Sequence, residues 1–284
     1  MGYEFARHST DIQKIKEYSS FLSSPFVSSS RYFREERTTP DYLRWQYVSN
    51  PAGNVLGYSA YSKGKIVGHF STLPVRYLVK GVKCEGLLAL NLVTHPDHRG
   101  KGIFLAMCER TFRDAYEMGY QFIAGVANQN STHGLVNRLG FELISGLEVR
   151  AGYGNIQIDK RAEYGLRPLW EPDTLKWRLS NPSATYFVND SKFIITGTGR
   201  FGINAQIYQM EEGDADIIRK NNSNNRLRLW IGLGKMKKIA HLHMRLPEAV
   251  KPVPLNLIFK KLRGDRLSFS KHEILFELID FDAY

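Results

Sequence analysis

The sequence predicts an α/β (α+β) protein built on a central mixed, mostly antiparallel sheet and followed by a second, degenerate lobe of the same kind. Three observations predict this. Apolar residues alternate in some segments and recur at helical spacing in others, giving the order β-α-α-β-β-β-α-β-α-β over the first half. The segment TPDYLRWQYVSNP, Thr39 to Pro51, returns as EPDTLKWRLSNP, Glu171 to Pro182, with Pro40 matching Pro172 and Trp45 matching Trp177 at one offset. A duplicated segment points to a duplicated larger unit. After the second copy, SATYFVNDSKFIITGTGRFGINAQIYQM alternates around Asn189-Asp190, as the chain does around Lys63-Gly64 after the first copy. We therefore divide the chain into residues 1–158 and 159–284.

Each element has its own signal. YEFARHS reads as a strand, and STDIQKIKEYSSFL as a helix capped by Ser, Thr or Asp with Ile12, Ile15, Tyr18 and Phe21 on one face. A Ser-rich loop, SSPFVSSS, follows. The repeated segment begins a short helix at Pro40 and ends it at Asn50-Pro51, because proline disfavours helix in the residue before it. VLGYSAYSKGKIVGHFSTLPVRYLVKGVKCEGLLALNLVTHP predicts three consecutive antiparallel strands, with Lys63-Gly64 as a hairpin turn. A helix runs from Gly102 to about Gly119. QFIAGVAN is a strand, a short helix follows, and FELISGLEVRAG is a single strand.

Composition narrows the function. The chain has 284 residues, is 43% hydrophobic and carries a net charge of +11. No apolar run approaches the ~20 residues that a spanning helix needs. MGYEFARHSTDIQ lacks the apolar core of a signal peptide, so a soluble cytoplasmic protein is expected. Cys84 and Cys108 fit a reducing compartment, and Cys108 lies within a helical pattern as a small hydrophobe. No block of five consecutive basic residues and no nucleic-acid module occurs; the charge suits phosphate-bearing small ligands instead. His241 and His243 lack a third ligand at a metal-like spacing, so no metal is expected.

The sharpest chemistry is in LALNLVTHPDHRGKGIFLAMCERTF. A strand ends at Val93, a turn holds Arg99, Gly100, Lys101 and Gly102, and a helix begins at once. Unpaired backbone N–H groups and the positive end of the helix dipole converge there on an anion, with cations alongside. The turn lacks the spacing of a nucleotide P-loop.

VTHPDHRGKGIF resembles the acyl-CoA pyrophosphate loop of the GNAT N-acyltransferase superfamily, and ANQNSTHGLVNRLGF resembles the later strand-helix-strand segment of that fold. The resemblance implies acyl-CoA as cosubstrate. Arg99, Gly100, Lys101, Gly102, Ile103 and Phe104 would hold its pyrophosphate. Leu92, Val93 and Thr94 would offer backbone groups to pantetheine, with Asn130 and Ser131 facing the cofactor from the other arm of a splayed sheet. Two positions depart from the family. Phe104 stands where Gly or Ala closes the loop, and Val136 stands where many members place a tyrosine that protonates the departing thiolate. Valine has no proton to give. Backbone N–H groups at Leu92–Val93 suffice for the oxyanion, and a CoA thiolate leaves without an obligatory acid. For the amine proton the candidates are His69, His95 and His133, or a water held by Asn91 and Asn130.

The repeated segment and the ending FELIDFDAY resemble bacterial N-acyltransferases that modify a nucleotide-linked (dTDP) amino-deoxysugar with an acetyl or 3-hydroxybutanoyl group for cell-surface polysaccharide. Arg200, Arg226 and Arg228 of the second lobe would hold the diphosphate of that acceptor. Three alternatives stay open: an aminoglycoside or protein-amine acetyltransferase, an aminoacyl-tRNA-dependent peptidoglycan-type transferase, and a non-catalytic acyl-CoA-binding module.

Overall fold

The computed structural model describes residues 2–24, 26, 35–189, 194–197, 203–211, 227–238, 243–247, 255–263 and 269–281. The first half follows the expected order. Strand β1 (Glu4–Arg7) leads to helix α1 (Ile12–Leu22), which starts where Asp11 accepts the Gln13 N–H at 2.8 Å. Helix α2 (Pro40–Tyr47) starts where the Thr39 hydroxyl accepts the Tyr42 N–H at 3.2 Å, with proline at its first position. Strands β2 (Leu56–Ser62), β3 (Lys65–Val79) and β4 (Val82–Thr94) form an antiparallel run, and Lys63 and Gly64 both take positive φ in the first hairpin. Helix α3 (Ile103–Glu117), β5 (Phe122–Ala127), α4 (Gln129–Leu139) and β6 (Glu142–Gly146) complete the unit.

Alternation along the strands sends side chains to two helical layers. Ile15, Tyr18, Tyr42, Leu43, Trp45 and Tyr47 pack with Leu73 on the α1/α2 side. Ile103, Met107, Cys108, Phe112 and Leu135 pack with Phe70, Leu87 and Ile123 on the α3/α4 side. Ile12 belongs to neither layer and is 45% exposed, because the first helical residue lies beyond the packed stripe. Gly68 lets α3 close on the sheet; a Cβ there would come within 2.9 Å of Ile103 Cγ2.

The segment expected as one strand from Phe141 is two strands in two sheets. Strand β6 pairs in the first sheet, whereas β7 (Glu148–Tyr153) pairs in a second one. Between them Leu147 is buried and its N–H donates to Leu255 O at 2.8 Å, which anchors the crossing point in the core.

The second half comprises β8 (Gln157–Ile158), β9 (Leu166–Pro168), α5 (Pro172–Leu179), β10 (Tyr186–Asn189), β11 (Ile194–Gly197), β12 (Asn204–Gln209), β13 (Leu227–Gly232), β14 (Met236–Lys238), β15 (His243–Arg245) and β16 (Asn256–Lys261). The turn expected at Asn189-Asp190 runs into residues outside the described set; β10 and β11 do pair antiparallel on either side of it. The second sheet has the order β10-β11-β12-β13-β7-β15, and the first has β1-β2-β3-β4-β5-β16-β6, with β9 added on β3. Each half thus lends the other a strand. Strand β16 fills the gap between β5 and β6, with Phe259 opposite both Ala124 and Glu142. One core cluster draws Tyr77 and Phe122 from the first half and Leu175, Ile207 and Phe276 from the second.

The repeated segment forms α2 and α5, and these helices meet. The Trp45 and Trp177 rings stack at 5.0 Å with 20° between planes. Each indole N–H donates to the other residue's backbone carbonyl at 3.0 Å. A contact in which each partner does the same to the other is the signature of a two-fold relation. After each copy an Asn-Pro turn is closed the same way, by Asn50 Oδ1 accepting from Ala52 N and Asn181 Oδ1 from Ser183 N.

Strands β7 and β16 are exchanged across the expected boundary at residue 158. A fragment of residues 1–158 lacks Leu257, Ile258 and Phe259, each at most 2% exposed and each contributing about 1.5–3 kcal/mol of burial. It also leaves the facing edges of β5 and β6 unpaired. We expect this fragment to be insoluble or unfolded by circular dichroism, and soluble cooperative folding of it would contradict the exchange.

Candidate active site

Strands β4 and β5 run parallel, and their register covers only Gly86 to Ala89 against Phe122 to Gly125. From Leu90 onward the two strands part. On its other edge β4 stays paired with β3, where Ser71 faces Leu90 and His69 faces Val93. Two residues of β4, Asn91 and Leu92, oppose Phe70 alone, which is a β-bulge, and Asn91 takes φ 49° to make it. Leu92, Val93 and Thr94 then form a part-buried edge toward the opening. A strand edge without a neighbour presents backbone groups to a ligand that can pair like a strand.

The anion turn follows directly. Pro96–His98 make one 3₁₀ turn, the Arg99 guanidinium donates through Nε to Thr94 O at 3.2 Å, and Lys101 Nζ donates to Asp97 O at 2.8 Å. These contacts fix two exposed cations around Gly100 and Gly102, which have φ of 72° and 77°. Gly102 is the N-cap of α3 and supplies no side-chain acceptor, so the first helical N–H groups, Ile103 and Phe104 among them, face the turn uncapped. Ile103 is buried against Gly68. The Phe104 ring turns toward α4, where a Cβ on Gly134 would touch it at 3.3 Å, so this bulky residue joins two helices.

Helix α4 starts at the other arm of the opening. Asn128 accepts Ser131 N at 3.0 Å and Ser131 Oγ at 3.1 Å, so the Ser131 hydroxyl is folded into its own helix cap. Asn130 lies in the first turn of α4; its side chain is outside the described set. Val136 packs against the α3/α4 core.

The candidate proton carriers separate by burial. His133 is exposed on α4. His95, part-buried, accepts Asp97 N at 3.3 Å and lies edge-on to Phe26 at 4.5 Å. His69 is fully buried, and desolvation holds its pKa down at about 3, so the ring is neutral at physiological pH. It does not border the opening but lies behind Asn91, reached through Tyr47: Tyr47 Oη is 3.1 Å from His69 Nε2 and accepts Asn91 Nδ2 at 2.8 Å. Tyr47 is not among the residues expected from the sequence. Its signal was in the repeat, where the matching residue of the second copy is Leu179, a polar-to-apolar difference inside a shared core position.

An inter-lobe cavity approaches the bulge from the α2 side. Gln46, Leu73, Leu88, Trp170, Trp177 and Asp280 are among its walls, and most of the lining is apolar. Gln46 belongs to both places, because its Oε1 lies 3.4 Å from Asn91 Nδ2. At the far end Asp280 accepts the Trp170 indole N–H at 2.7 Å, and burial followed by the nearby Glu277 raises its pKa to about 7.

Of the three arginines expected to hold an acceptor, Arg200 and Arg226 lie outside the described residues. Arg228 is 2% exposed and donates to Asn155 Oδ1 at 3.0 Å, within the second sheet. The cavity instead has Arg76, paired with Glu85 and Glu171, and Arg178, donating to Ile279 O and Phe281 O. Among the described residues no His/Cys/Asp/Glu cluster could hold a metal, and no helix is long and apolar enough to cross a membrane.

Residues 16–144 match the acetyltransferase (GNAT) domain. No curated protein matches the chain in sequence. Among solved structures, the chain is similar to a probable N-acyltransferase from Enterococcus faecalis V583, with 10% identity, a TM-score of 0.60 and coverage of 92% of this chain and 73% of that one. It is similar to a GCN5-related N-acetyltransferase from Anabaena variabilis ATCC 29413, at 13% identity, TM-score 0.59 and coverage of 92% and 73%. A GCN5-related N-acetyltransferase from Kribbella flavida aligns at 11% identity, TM-score 0.58 and coverage of 91% and 72%. These likenesses are of fold, and they extend over both lobes.

Two outcomes follow. Gly102→Asp places a side chain on a residue at φ 77° and a carboxylate in the anion turn, so CoA affinity should fall at least tenfold, about 1.4 kcal/mol, in calorimetric titration. An unchanged affinity in a folded variant would remove the turn from the site. For His69, a folded pKa depressed below the ordinary imidazole value of 6.5 stabilises the protein above that pH, and this contribution is lost as pH falls toward 3. His8 is shifted the same way by burial, while Asp280 opposes them over part of the range. His69→Gln should therefore lose less Tm than the parent between about pH 6.5 and about pH 5 in parallel thermal melts.

Proposed function

We propose, from the premise that residues 16–144 form a GNAT acetyltransferase domain in a two-lobe chain of that fold, that the protein moves an acyl group from acyl-CoA to a primary amine. Acyl transfer is what the domain does; the cosubstrate and acceptor are our reading. The observation that carries it is the parting of β4 from β5 beyond Ala89, next to an uncapped helix N-terminus with Arg99 and Lys101 beside it. The anion turn suits the pyrophosphate of CoA, and the free β4 edge suits pantetheine.

The thioester then lies near the bulge. The amine nitrogen forms the new C–N bond, the C–S bond breaks with its electron pair on sulfur, and the amine's surplus proton ends on the thiolate, releasing CoA as the thiol. Backbone N–H groups of the Leu92–Val93 edge are the oxyanion donors in this reading. Val136 has no proton to give, and this reading assigns no step to exposed His133.

The acceptor enters by the inter-lobe cavity. Its apolar walls suit a compact amphipathic group better than a polycation, which favours an amino-deoxysugar ring over an aminoglycoside. A nucleotide-linked amino sugar would set its sugar at the mouth of this cavity, whose volume of about 40 Å³ does not enclose a ring, and keep the diphosphate outside, since Arg76 and Arg178 are already engaged and Arg228 is held in the second sheet. Synthesis of a surface polysaccharide in the cytoplasm is the setting this acceptor implies.

Native mass spectrometry against acyl-CoAs and amino-sugar nucleotides tests both ligands. We expect a CoA-bound species and an acceptor that gains the acyl mass. Ala52→Trp, at the cavity wall, should weaken acceptor binding about tenfold with CoA binding intact. Failure to bind any acyl-CoA would overturn the reading, and turnover of polycations alone would overturn the sugar.

A further inference from the structure

Behind the bulge the buried polar groups form one line. Asn91 Nδ2 donates to Tyr47 Oη at 2.8 Å and points toward Gln46 Oε1 at 3.4 Å. Tyr47 Oη is 2.8 Å from Ser71 Oγ and 3.1 Å from His69 Nε2. His69 Nδ1 is 3.0 Å from Ser59 Oγ, which lies 3.2 Å from His8 Nε2. The His8 and His69 rings stack at 4.3 Å. Tyr47, Ser59, His69 and Ser71 are each at most 1% exposed, so these hydrogen bonds cannot be exchanged for water without opening the core.

The hydrogen bonds orient Asn91. Its NH₂ can only donate, and both of its partners are oxygens on the inner side. The amide is therefore held with Oδ1 turned away from α2. Its backbone is held too: φ 49° is a conformation asparagine adopts more readily than most residues, and the bulge demands it. Gln46 ties this amide to the wall of the acceptor cavity.

We propose that Asn91 Oδ1 accepts a hydrogen bond from the N–H of the acceptor amine and so directs the nitrogen lone pair at the thioester carbon, with Tyr47, His69 and Ser59 as positioning residues that hold the amide. The proposal rests on the acyl-CoA reading of the site. A fixed acceptor for one amine proton selects nitrogen nucleophiles that bring an N–H and reduces the orientational freedom lost at attack. It also gives the two buried histidines a function that needs no proton transfer through them.

The test uses the full-length protein and two CoA thioethers that place an amide where the product forms. One carries S–CH₂–CO–NH–CH₃, and the other carries S–CH₂–CO–N(CH₃)₂, which lacks the N–H. The parent should bind the N–H compound about tenfold more tightly than its dimethyl partner. Asn91→Gly, chosen because glycine tolerates φ 49°, should erase that preference while plain CoA binds within about twofold of the parent. Tyr47→Phe should reduce the preference with CoA affinity again retained; a merely structural role would weaken all three ligands alike. Equal binding of the two thioethers by the parent, or a preference that survives Asn91→Gly, overturns the proposal. If the parent binds neither CoA nor either thioether, the acyl-CoA reading fails and takes this inference with it; if CoA binds and the preference is absent, only the inference fails.

Discussion

Everything in the first lobe is arranged around a backbone edge left without a partner. Parallel β4 and β5 share four residue pairs and then separate, although an unpaired backbone group inside a fold is costly. Three features keep the gap from closing. Strand β16 pairs with β5 from the far side over Asn256 to Lys261, which holds β5 in place. The bulge at Asn91 bends β4 where the two strands part. Gly68 lets Ile103 and Met107 seat α3 against the sheet, which brings an uncapped helix N-terminus to the end of that edge. The opening and the anion turn are thus consequences of one geometry.

The second lobe is required for that geometry. It contributes β16 to the first sheet and receives β7 in return, and the two lobes share a core. The duplicated helices clamp this arrangement through the reciprocal Trp45–Trp177 contact, where stacked rings add about 0.5–1.5 kcal/mol to the area they bury. The repeated segment thus meets its own copy, and each tryptophan supplies the indole N–H that the other helix's carbonyl accepts. Where the copies differ, their surroundings differ. Tyr47 serves a polar network beneath the bulge, while Leu179 packs against the shared core.

Buried charges are paired or hydrogen-bonded, as Arg178 is to Ile279 O and Phe281 O and Arg228 to Asn155 Oδ1. His8 and His69 are kept neutral by burial, and their hydrogen bonds go to serines and a tyrosine. Asp280, with a pKa near neutrality at about 7, and the buried Lys160–Glu277 pair lie at the second-lobe end of the inter-lobe space. The two cations of the glycine turn, Arg99 and Lys101, are on the surface where hydration makes them inexpensive.

The sequence by itself determined the local elements and the glycine turn before α3. Periodicity, caps and turn residues are local properties, so α1, α2, the β2–β3 hairpin and the glycine turn before α3 were legible, as was the kinship of Thr39–Pro51 with Glu171–Pro182. FELISGLEVRAG was not legible as two strands, because a strand's alternation says which face is buried and nothing about which sheet receives it. Likewise β16 shows as a strand only once β5 and β6 leave room for it. The histidines were visible as titratable residues, but only packing decided that His69 lies behind Asn91 and Tyr47, neutral and enclosed, and that Arg228 is spent on Asn155. Pairing partners far apart in the chain, and the burial that sets a side chain's proton affinity, are produced by the folded whole and have no local signature to read.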